Sequence, residues 1–262
     1  MREHGDLQYA DRESGSLALD LYVPERGSAA PLVVSIHGGG WQSGDRTQTG
    51  DTLRLVDRGY ALASVSYRLT DAATFPAQVR DCRAAVRWLR AHADEYGLDP
   101  GRVAAWGWSA GAHLAALLGT APEVDFGDPE VHPDESHRVD AVVDCFGPAD
   151  LLAMGDQGSD RDHTTADSPE GKLLGGPVRE RSERARRASP LTHVDGTEPP
   201  FLVVHGSADG VVPREQSDLL VSALADADVP VTYHVVGGGG HGGFDDPAVS
   251  ELVDGFFDRH LM

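Results

Sequence analysis

The sequence of 262 residues predicts an α/β fold, with a mainly parallel β-sheet and helices on both of its faces. From residue 103 onward, short apolar runs typical of strands alternate with runs whose apolar positions recur at helical spacing. The length suits one large α/β domain, and the apolar residues, 40% of the chain, are enough to build one core. We therefore expect residues 1–262 to form a single domain.

Three strands are expected before this alternation begins, at residues 16–23, 32–36 and 60–67. A helix is predicted over residues 78–96, where apolar side chains recur every three or four residues. The later elements are predicted as strands at 103–106, 139–146, 201–205 and 231–236 and as helices at 110–118, 215–225 and 249–260. Residues 147–200 are polar, and we expect a small cap or an excursion over the edge of the sheet there.

The charge balance argues against two classes of partner. Asp and Glu number 42 against 22 Lys and Arg, and the formal net charge of -20 repels nucleic acids and anionic membrane surfaces. No apolar run is long enough to span a bilayer, and no signal peptide is visible. We expect a cytoplasmic protein, a monomer or a homodimer, that acts on a small-molecule substrate.

The sequence gives no sign of a metal or a cofactor. Cys82 and Cys145 match no metal-binding or redox spacing, so two reduced, buried thiols are expected. Four further histidines also lack the spacing of metal ligands: His132, His137, His163 and His193.

The pentapeptide GWSAG at residues 107–111 matches the nucleophile-elbow pattern G-x-S-x-G. A strand-like run precedes it and a helical run follows, which places Ser109 on a sharp turn with its hydroxyl exposed. Gly107 and Gly111 are expected there because the strand and the helix approach too closely for a Cβ atom. Ser109 is therefore the candidate nucleophile, and an ordinary turn in a glycine-rich chain is the alternative.

The run HGGGW at residues 37–41 directly follows a predicted strand. Consecutive glycines let backbone N–H groups point to one spot, as stabilisation of an oxyanion during acyl transfer requires. With the N–H of Ala110, those of Gly39 and Gly40 are candidates for an oxyanion hole, and that of Trp41 can replace one of them. A phosphate-binding loop is the alternative. However, no Gly-Lys-Ser/Thr follows the glycines, and no acidic residue stands where it could bind the ribose of a nucleotide.

A serine nucleophile needs a base and an orienting acid, in the chain order Ser, Asp, His. Asp209 follows the strand predicted at 201–205, and His241 lies in a glycine-rich run at 237–243 after the next strand. The carboxyl ends of parallel strands meet at one edge of a sheet. We therefore expect Ser109, Asp209 and His241 to converge there.

Other residues compete for the roles of acid and base. Asp144 and Asp150 lie near the end of the preceding strand and are alternative acids. His205 also follows a strand, but it precedes Asp209 and is expected to support the turn of the acid. His37 opens the glycine run and is expected to brace that loop by hydrogen bonds.

Three aromatic residues are expected to flank the serine and to bind substrate: Trp41, Trp108 and Phe146. Aromatic walls suit aryl esters, and the alternative is that one or more of these rings pack in the core. Short acyl chains are expected because no long apolar cap is evident.

These motifs resemble the α/β-hydrolase superfamily, and within it the esterases with a His-Gly-Gly-Gly motif, among them those like hormone-sensitive lipase. Between residues 15 and 245, further segments resemble the group named for bifunctional feruloyl and acetyl-xylan esterases. They are SYRL at 66–69, FGPADL at 146–151, SPE at 168–170, LGG at 174–176, SP at 189–190, VP at 212–213 and QS at 216–217.

The resemblance implies the α/β-hydrolase fold with an eight-stranded sheet. It also implies Ser109 as nucleophile, Asp209 as acid and His241 as base of a carboxylic ester hydrolase that works through an acyl-enzyme. Two alternatives stay open: an arylformamidase or peptidase-like amide hydrolase with the same triad, and a non-catalytic binding protein with this fold.

Overall fold

The computed structural model describes residues 1–25, 29–127, 131–242, 244 and 246–262. Gly243, the last residue of the glycine-rich run around His241, lies outside them. Within the described residues eight strands form one sheet: β1 (Arg2–Arg12), β2 (Gly15–Val23), β3 (Ala30–Ile36), β4 (Ala61–Val65), β5 (Leu98–Trp108), β6 (Ala141–Cys145), β7 (Phe201–Gly206) and β8 (Val231–Val236).

The strand order across the sheet is β1-β2-β4-β3-β5-β6-β7-β8. The strands from β3 to β8 run parallel, whereas β2 is antiparallel to both of its neighbours, β1 and β4. The predicted α/β class and the mainly parallel, eight-stranded sheet are therefore confirmed.

Helices connect the strands and follow the last one. They are α1 (Arg54–Asp57), α2 (Ala77–Ala91), α3 (Ala93–Tyr96), α4 (Ala110–Thr120), α5 (Pro169–Leu174), α6 (Ser182–Ala188), α7 (Glu215–Asp226) and α8 (Pro247–Leu261), with 3-10 turns at Gly50–Leu53, Met154–Asp156, Val178–Arg181 and Pro190–His193. In the described part of the chain, no helix has the length and the apolar character to cross a bilayer.

The central strands are buried on both faces, which explains their nearly continuous apolar sequences. In β3, Leu32, Val34 and Ile36 belong to the apolar cluster under α2, α4 and α7. Val33, which points the opposite way, packs in a second cluster with residues of α1 and α8. The helices therefore form a layer on each side of the sheet.

Several elements differ from those expected: helices α1, α5 and α6 were not predicted, and two further differences have a clear cause. Strand β1 was not predicted because its residues are mostly polar; it lies at the end of the sheet, pairs only with β2 and leaves most of its side chains exposed. The helix predicted at 78–96 is divided at His92 into α2 and α3. The ring of His92 stacks on Trp88 with centroids 4.0 Å apart, and its Nδ1 lies 2.8 Å from the Trp88 carbonyl oxygen.

Residues 147–200 connect β6 to β7 and contain α5 and α6. One anchor of this segment is His113 on α4, whose Nε2 lies 2.7 Å from the carbonyl oxygen of Ala188. Burial lowers the pKa of His113 to about 4, so the ring is neutral at physiological pH. The segment is thereby joined to the helix that begins directly after Ser109.

A buried carboxylate ties together three elements of the fold. Asp81 on α2 is fully buried and accepts a hydrogen bond from Arg12 Nε at the end of β1 (3.1 Å). Arg68, in the loop after β4, donates from Nε and Nη2 at 2.7 and 2.8 Å. The two guanidinium groups compensate the charge that burial would otherwise penalise.

We predict that Asp81→Ala lowers the free energy of unfolding by about 3–5 kcal/mol, because two largely buried guanidinium groups lose their anion. Urea denaturation followed by circular dichroism measures this change. The control is Asp71→Ala on the exposed surface, for which we expect a change of no more than about 0.5 kcal/mol. Equal midpoints for the two variants would contradict the prediction.

Candidate active site

Ser109 lies on the turn between β5 and α4 with φ 53° and ψ -120°, a backbone conformation that is unfavourable for a residue with a Cβ atom. The flanking glycines permit the turn. A Cβ on Gly107 would lie 2.2 Å from the carbonyl oxygen of Gly111, and one on Gly111 would lie 2.1 Å from that of Ile36. Both distances are far inside van der Waals contact, so only glycine fits at either position.

The structure brings Ser109, His241 and Asp209 into one hydrogen-bonded chain. His241 Nε2 lies 2.9 Å from Ser109 Oγ, and His241 Nδ1 lies 2.8 Å from Asp209 Oδ2. These residues follow β5, β8 and β7, so they meet at the carboxyl ends of the parallel strands.

The carboxylate of Asp209 is held on both oxygens. Oδ1 accepts hydrogen bonds from the N–H groups of Val211 (2.8 Å) and Val212 (3.0 Å), while His205 Nε2 lies 3.3 Å from Oδ2. Burial raises the pKa of Asp209, but hydrogen bonds from His205, His241 and the Val211 amide outweigh it and leave the pKa well below its usual value. The group is therefore ionised at neutral pH.

The tautomer of His205 follows from its neighbours. Its Nε2 faces two acceptors, the Val212 carbonyl oxygen at 3.0 Å and the Asp209 carboxylate, so this nitrogen carries the proton. Its Nδ1 lies 2.6 Å from Ser217 Oγ on α7. His205 thus supports the turn that carries Asp209.

The two alternative acids are engaged elsewhere. Asp144 Oδ1 accepts from the N–H of Gly147 at 2.8 Å, and burial raises the pKa of Asp144 to about 6. Asp150 Oδ1 accepts from the N–H groups of Leu152 and Ala153 at 2.9 and 3.1 Å and closes a local turn. Among these three acids in the described residues, only Asp209 accepts a hydrogen bond from His241 Nδ1.

The glycine run after β3 lies next to this chain of side chains. The Gly38 carbonyl oxygen is 2.8 Å from His37 Nδ1, and that of Gly39 accepts from the N–H of Gln42 at 3.0 Å. In a trans peptide the C=O and the following N–H point in opposite directions, so the N–H groups of Gly39 and Gly40 point away from these partners. Positive φ angles of 104° at Gly39 and 58° at Gly40 permit this path.

The third predicted donor, the N–H of Ala110, is in the first residue of α4, where a helix has no internal acceptor for it. Gly39, Gly40 and Ala110 line the same pocket as Ser109.

The loop that carries these glycines is held by contacts between His37 and Tyr67. The ring of His37 is stacked on Tyr67 with centroids 4.3 Å apart, and the Tyr67 hydroxyl donates to the His37 carbonyl oxygen at 3.0 Å. Burial lowers the pKa of His37, so the ring is neutral. His37 therefore has the bracing contacts expected of it.

The pocket around Ser109 and His241 has a volume of about 420 Å³, and the three predicted aromatic residues border it. Trp41 is only 1% exposed and packs edge-on against His113, so most of its ring belongs to the core. Trp108 is half-buried against Trp106. Phe146 packs edge-on against the His241 ring with centroids 4.8 Å apart.

Sequence reasoning missed the wall of the pocket that comes from the segment 147–200. This wall consists of Pro148, Arg161, His163, Pro169 and Glu170. The SPE motif was a partial signal, because Ser168 Oγ accepts from the N–H of Gly171 and begins α5 with Pro169 and Glu170 in its first turn. No periodicity or spacing marks Arg161 or His163.

Comparisons with known proteins agree with this arrangement. The BD-FAE family model matches residues 19–224. Esterase LipC of Mycobacterium tuberculosis is 34% identical over 229 residues, which cover 86% of this chain and 54% of LipC. The chain spans about half the length of the curated relatives it matches.

Solved structures superpose over nearly the whole chain. A truncated carbohydrate esterase from gut microbiota has a TM-score of 0.90 at 30% identity and covers 100% of this chain and 97% of its own. Esterase Est2 from the Planctomycetes species Thermogutta terrifontis, with butyrate bound, has a TM-score of 0.81 at 28% identity, with 98% and 93% covered. The chain therefore belongs to the BD-FAE family and has the α/β-hydrolase fold of these esterases.

Proposed function

We propose that the protein is a serine hydrolase that cleaves carboxylic esters with short acyl chains. The observation that carries this proposal is the hydrogen-bonded chain from Ser109 Oγ through His241 to Asp209, with distances of 2.9 and 2.8 Å. Distances of this size permit proton transfer without rearrangement. Named esterases among the relatives support the same reaction class.

In the first half of the reaction, Ser109 Oγ forms a bond to the ester carbonyl carbon while His241 Nε2 takes the hydroxyl proton. The electron pair of the C=O bond moves to oxygen. When the tetrahedral adduct collapses, the bond to the alcohol oxygen breaks, and His241 returns the proton to that oxygen. The acyl group stays on Ser109.

In the second half, His241 takes a proton from a water molecule whose oxygen attacks the acyl-enzyme carbonyl. Collapse of this second adduct breaks the bond to Ser109 Oγ, which regains its proton from His241, and the acid leaves. Asp209 keeps Nδ1 protonated in both halves and stabilises the imidazolium; its low pKa keeps it ionised for this purpose.

The negative oxygen of each adduct needs donors that are already in place. The N–H groups of Gly39, Gly40 and Ala110 are the proposed donors, with Trp41 as a possible replacement for one glycine. Removal of one such donor typically costs about 3–4 kcal/mol of transition-state stabilisation. The orientation of the Gly38 and Gly39 carbonyl oxygens, which face their own loop, supports the assignment.

The substrate proposal rests on the size and the walls of the pocket. Its volume of about 420 Å³ suits a small ester, and Trp108 and Phe146 offer aromatic surface beside the serine. Est2, a structural relative at 28% identity, is described with butyrate bound. An amide substrate or a purely binding role has no separate support in the geometry, and the intact chain of Ser109, His241 and Asp209 argues against loss of catalysis.

We predict that Ser109→Ala lowers kcat/KM for 4-nitrophenyl acetate by about 10⁴-fold or more, because the nucleophile is removed. The variant should also lose covalent labelling by a fluorophosphonate probe. Ser16→Ala, on the distant β2, is the control and should be labelled and active like the wild type. Labelling of the Ser109→Ala variant would exclude Ser109 as the nucleophile.

We predict that Asp209→Asn lowers kcat about 10⁴-fold, because an amide donor next to Nδ1 selects the wrong tautomer of His241. Asp150→Asn is the matched control: its side-chain oxygen can still accept from Leu152 and Ala153, so kcat should stay within a factor of two. Steady-state kinetics on one ester compares them. A larger loss in Asp150→Asn than in Asp209→Asn would reverse the assignment of the acid.

We predict that kcat/KM for 4-nitrophenyl esters is highest for the acetyl or butyryl chain and falls for octanoyl and longer chains, because the pocket has little volume for them. A series of esters from acetyl to dodecanoyl measures this. A matching series of 4-nitroanilides tests amide hydrolysis in parallel. Highest activity on the longest chains, or on the anilides, would contradict the proposed substrate class.

A further inference from the structure

The stretch 159–163 of the pocket wall is docked on the loop that carries the catalytic acid. Ser159 Oγ lies 3.1 and 3.0 Å from the carbonyl oxygens of Gly210 and Val211, and the N–H of Asp160 donates to the Gly210 oxygen at 2.8 Å. These carbonyls belong to the first and the second residue after Asp209. The stretch therefore has a fixed position relative to the proposed triad.

Next to it, His163 and Glu170 form a buried pair. His163 Nε2 lies 2.9 Å from Ser159 Oγ, and because that hydroxyl donates to a carbonyl oxygen, Nε2 must donate to the hydroxyl. His163 Nδ1 lies 3.1 Å from Glu170 Oε2. Without a proton, Nδ1 would place its lone pair against the Glu170 carboxylate. Burial lowers the pKa of His163, but Glu170 outweighs it and the net shift is upward.

Glu170 therefore favours the protonated form of His163, in which the two charges of the pair offset each other. Asp209 is buried between His205 and His241.

Arg161 lies between these anchored residues and borders the pocket together with Ser109 and His241. Neither of its acidic neighbours in sequence, Asp160 and Asp162, forms an ion pair with it. Asp162 Oδ1 accepts from the N–H groups of Thr164 and Thr165, and the Asp160 carboxylate lies against Gly210. Among the described residues, none forms an ion pair with the Arg161 guanidinium, as nine other arginines do with acidic side chains.

We propose that Arg161 binds an anionic group, a carboxylate, on the alcohol part of the ester substrate. The inference rests on the proposed ester hydrolysis: a short acyl group leaves the rest of the pocket to the alcohol part. A guanidinium matches a carboxylate with two parallel hydrogen bonds. The net charge of -20 repels anions at long range, but salt screens that repulsion beyond about 10 Å at 0.1 M, so the local cation dominates inside the pocket.

Two acetate esters of the same shape test this proposal: 4-acetoxybenzoate, which carries a carboxylate, and 4-acetoxybenzamide, which is neutral. Arg161 is exposed, so its contribution is that of a solvated ion pair. We expect Arg161→Gln to raise KM for the benzoate about three- to fivefold at about 0.1 M salt and to leave kcat unchanged. The kinetics of the benzamide should stay within a factor of two, and Arg161→Lys should keep part of the preference.

Arg186→Gln is the matched control, because it removes the same charge from an exposed position on α6 outside the pocket. It should leave both esters unaffected. In the wild type, 0.5 M NaCl should weaken binding of the benzoate and not of the benzamide.

The outcomes separate this inference from the proposed function. Equal effects of Arg161→Gln on the two esters, or no effect on either, would overturn the role of Arg161. The same holds if the wild type hydrolyses the benzamide and not the benzoate. A wild type that hydrolyses neither ester would contradict ester hydrolysis itself, and the inference would fall with it.

Discussion

The site depends on the close approach of three backbone segments at the start of α4. The carbonyl oxygens of Gly111 and Ile36 occupy the space where side chains of Gly107 and Gly111 would begin. This contact forces the chain into the positive φ of Ser109, which lifts its hydroxyl out of the sheet toward His241. It also sets the first turn of α4, and with it the N–H of Ala110, beside the glycine run after β3. A single steric constraint thus positions both the proposed nucleophile and one of the proposed oxyanion donors.

Around that contact, the surroundings of buried polar side chains determine which of them are ionised. Asp209 is ionised because two backbone N–H groups and two histidines donate to it, and His37 and His113 are neutral because they are buried. His205 and Tyr67 act one step further out, on the turn of the acid and on the glycine loop. The charges near the serine are therefore set by burial and by hydrogen bonds already present in the fold, and none requires a bound ligand.

Much of this could be predicted from the sequence because the relevant signals are local. Gly107 and Gly111 indicate a turn around Ser109 that has no room for a Cβ atom. The alternation of strands and helices identifies the edge of the sheet where Asp209 and His241 meet. Strand β1 escaped prediction because an edge strand exposed to water needs no apolar pattern. Arg161 and His163 were missed for a different reason. Their place in the pocket depends on contacts of Ser159 with residues 51 and 52 positions away, and such contacts leave no periodic pattern in the sequence.

The pocket is built from two sources. The proposed reacting groups follow strands of the sheet, whereas one wall comes from the segment between β6 and β7, held by contacts such as that of His113 with Ala188. Substitution of side chains of this wall that face the pocket leaves the geometry of the sheet untouched. Evolution can consequently retune which molecules are admitted without rebuilding the chemical machinery, and the segment is the natural place for engineers to introduce diversity.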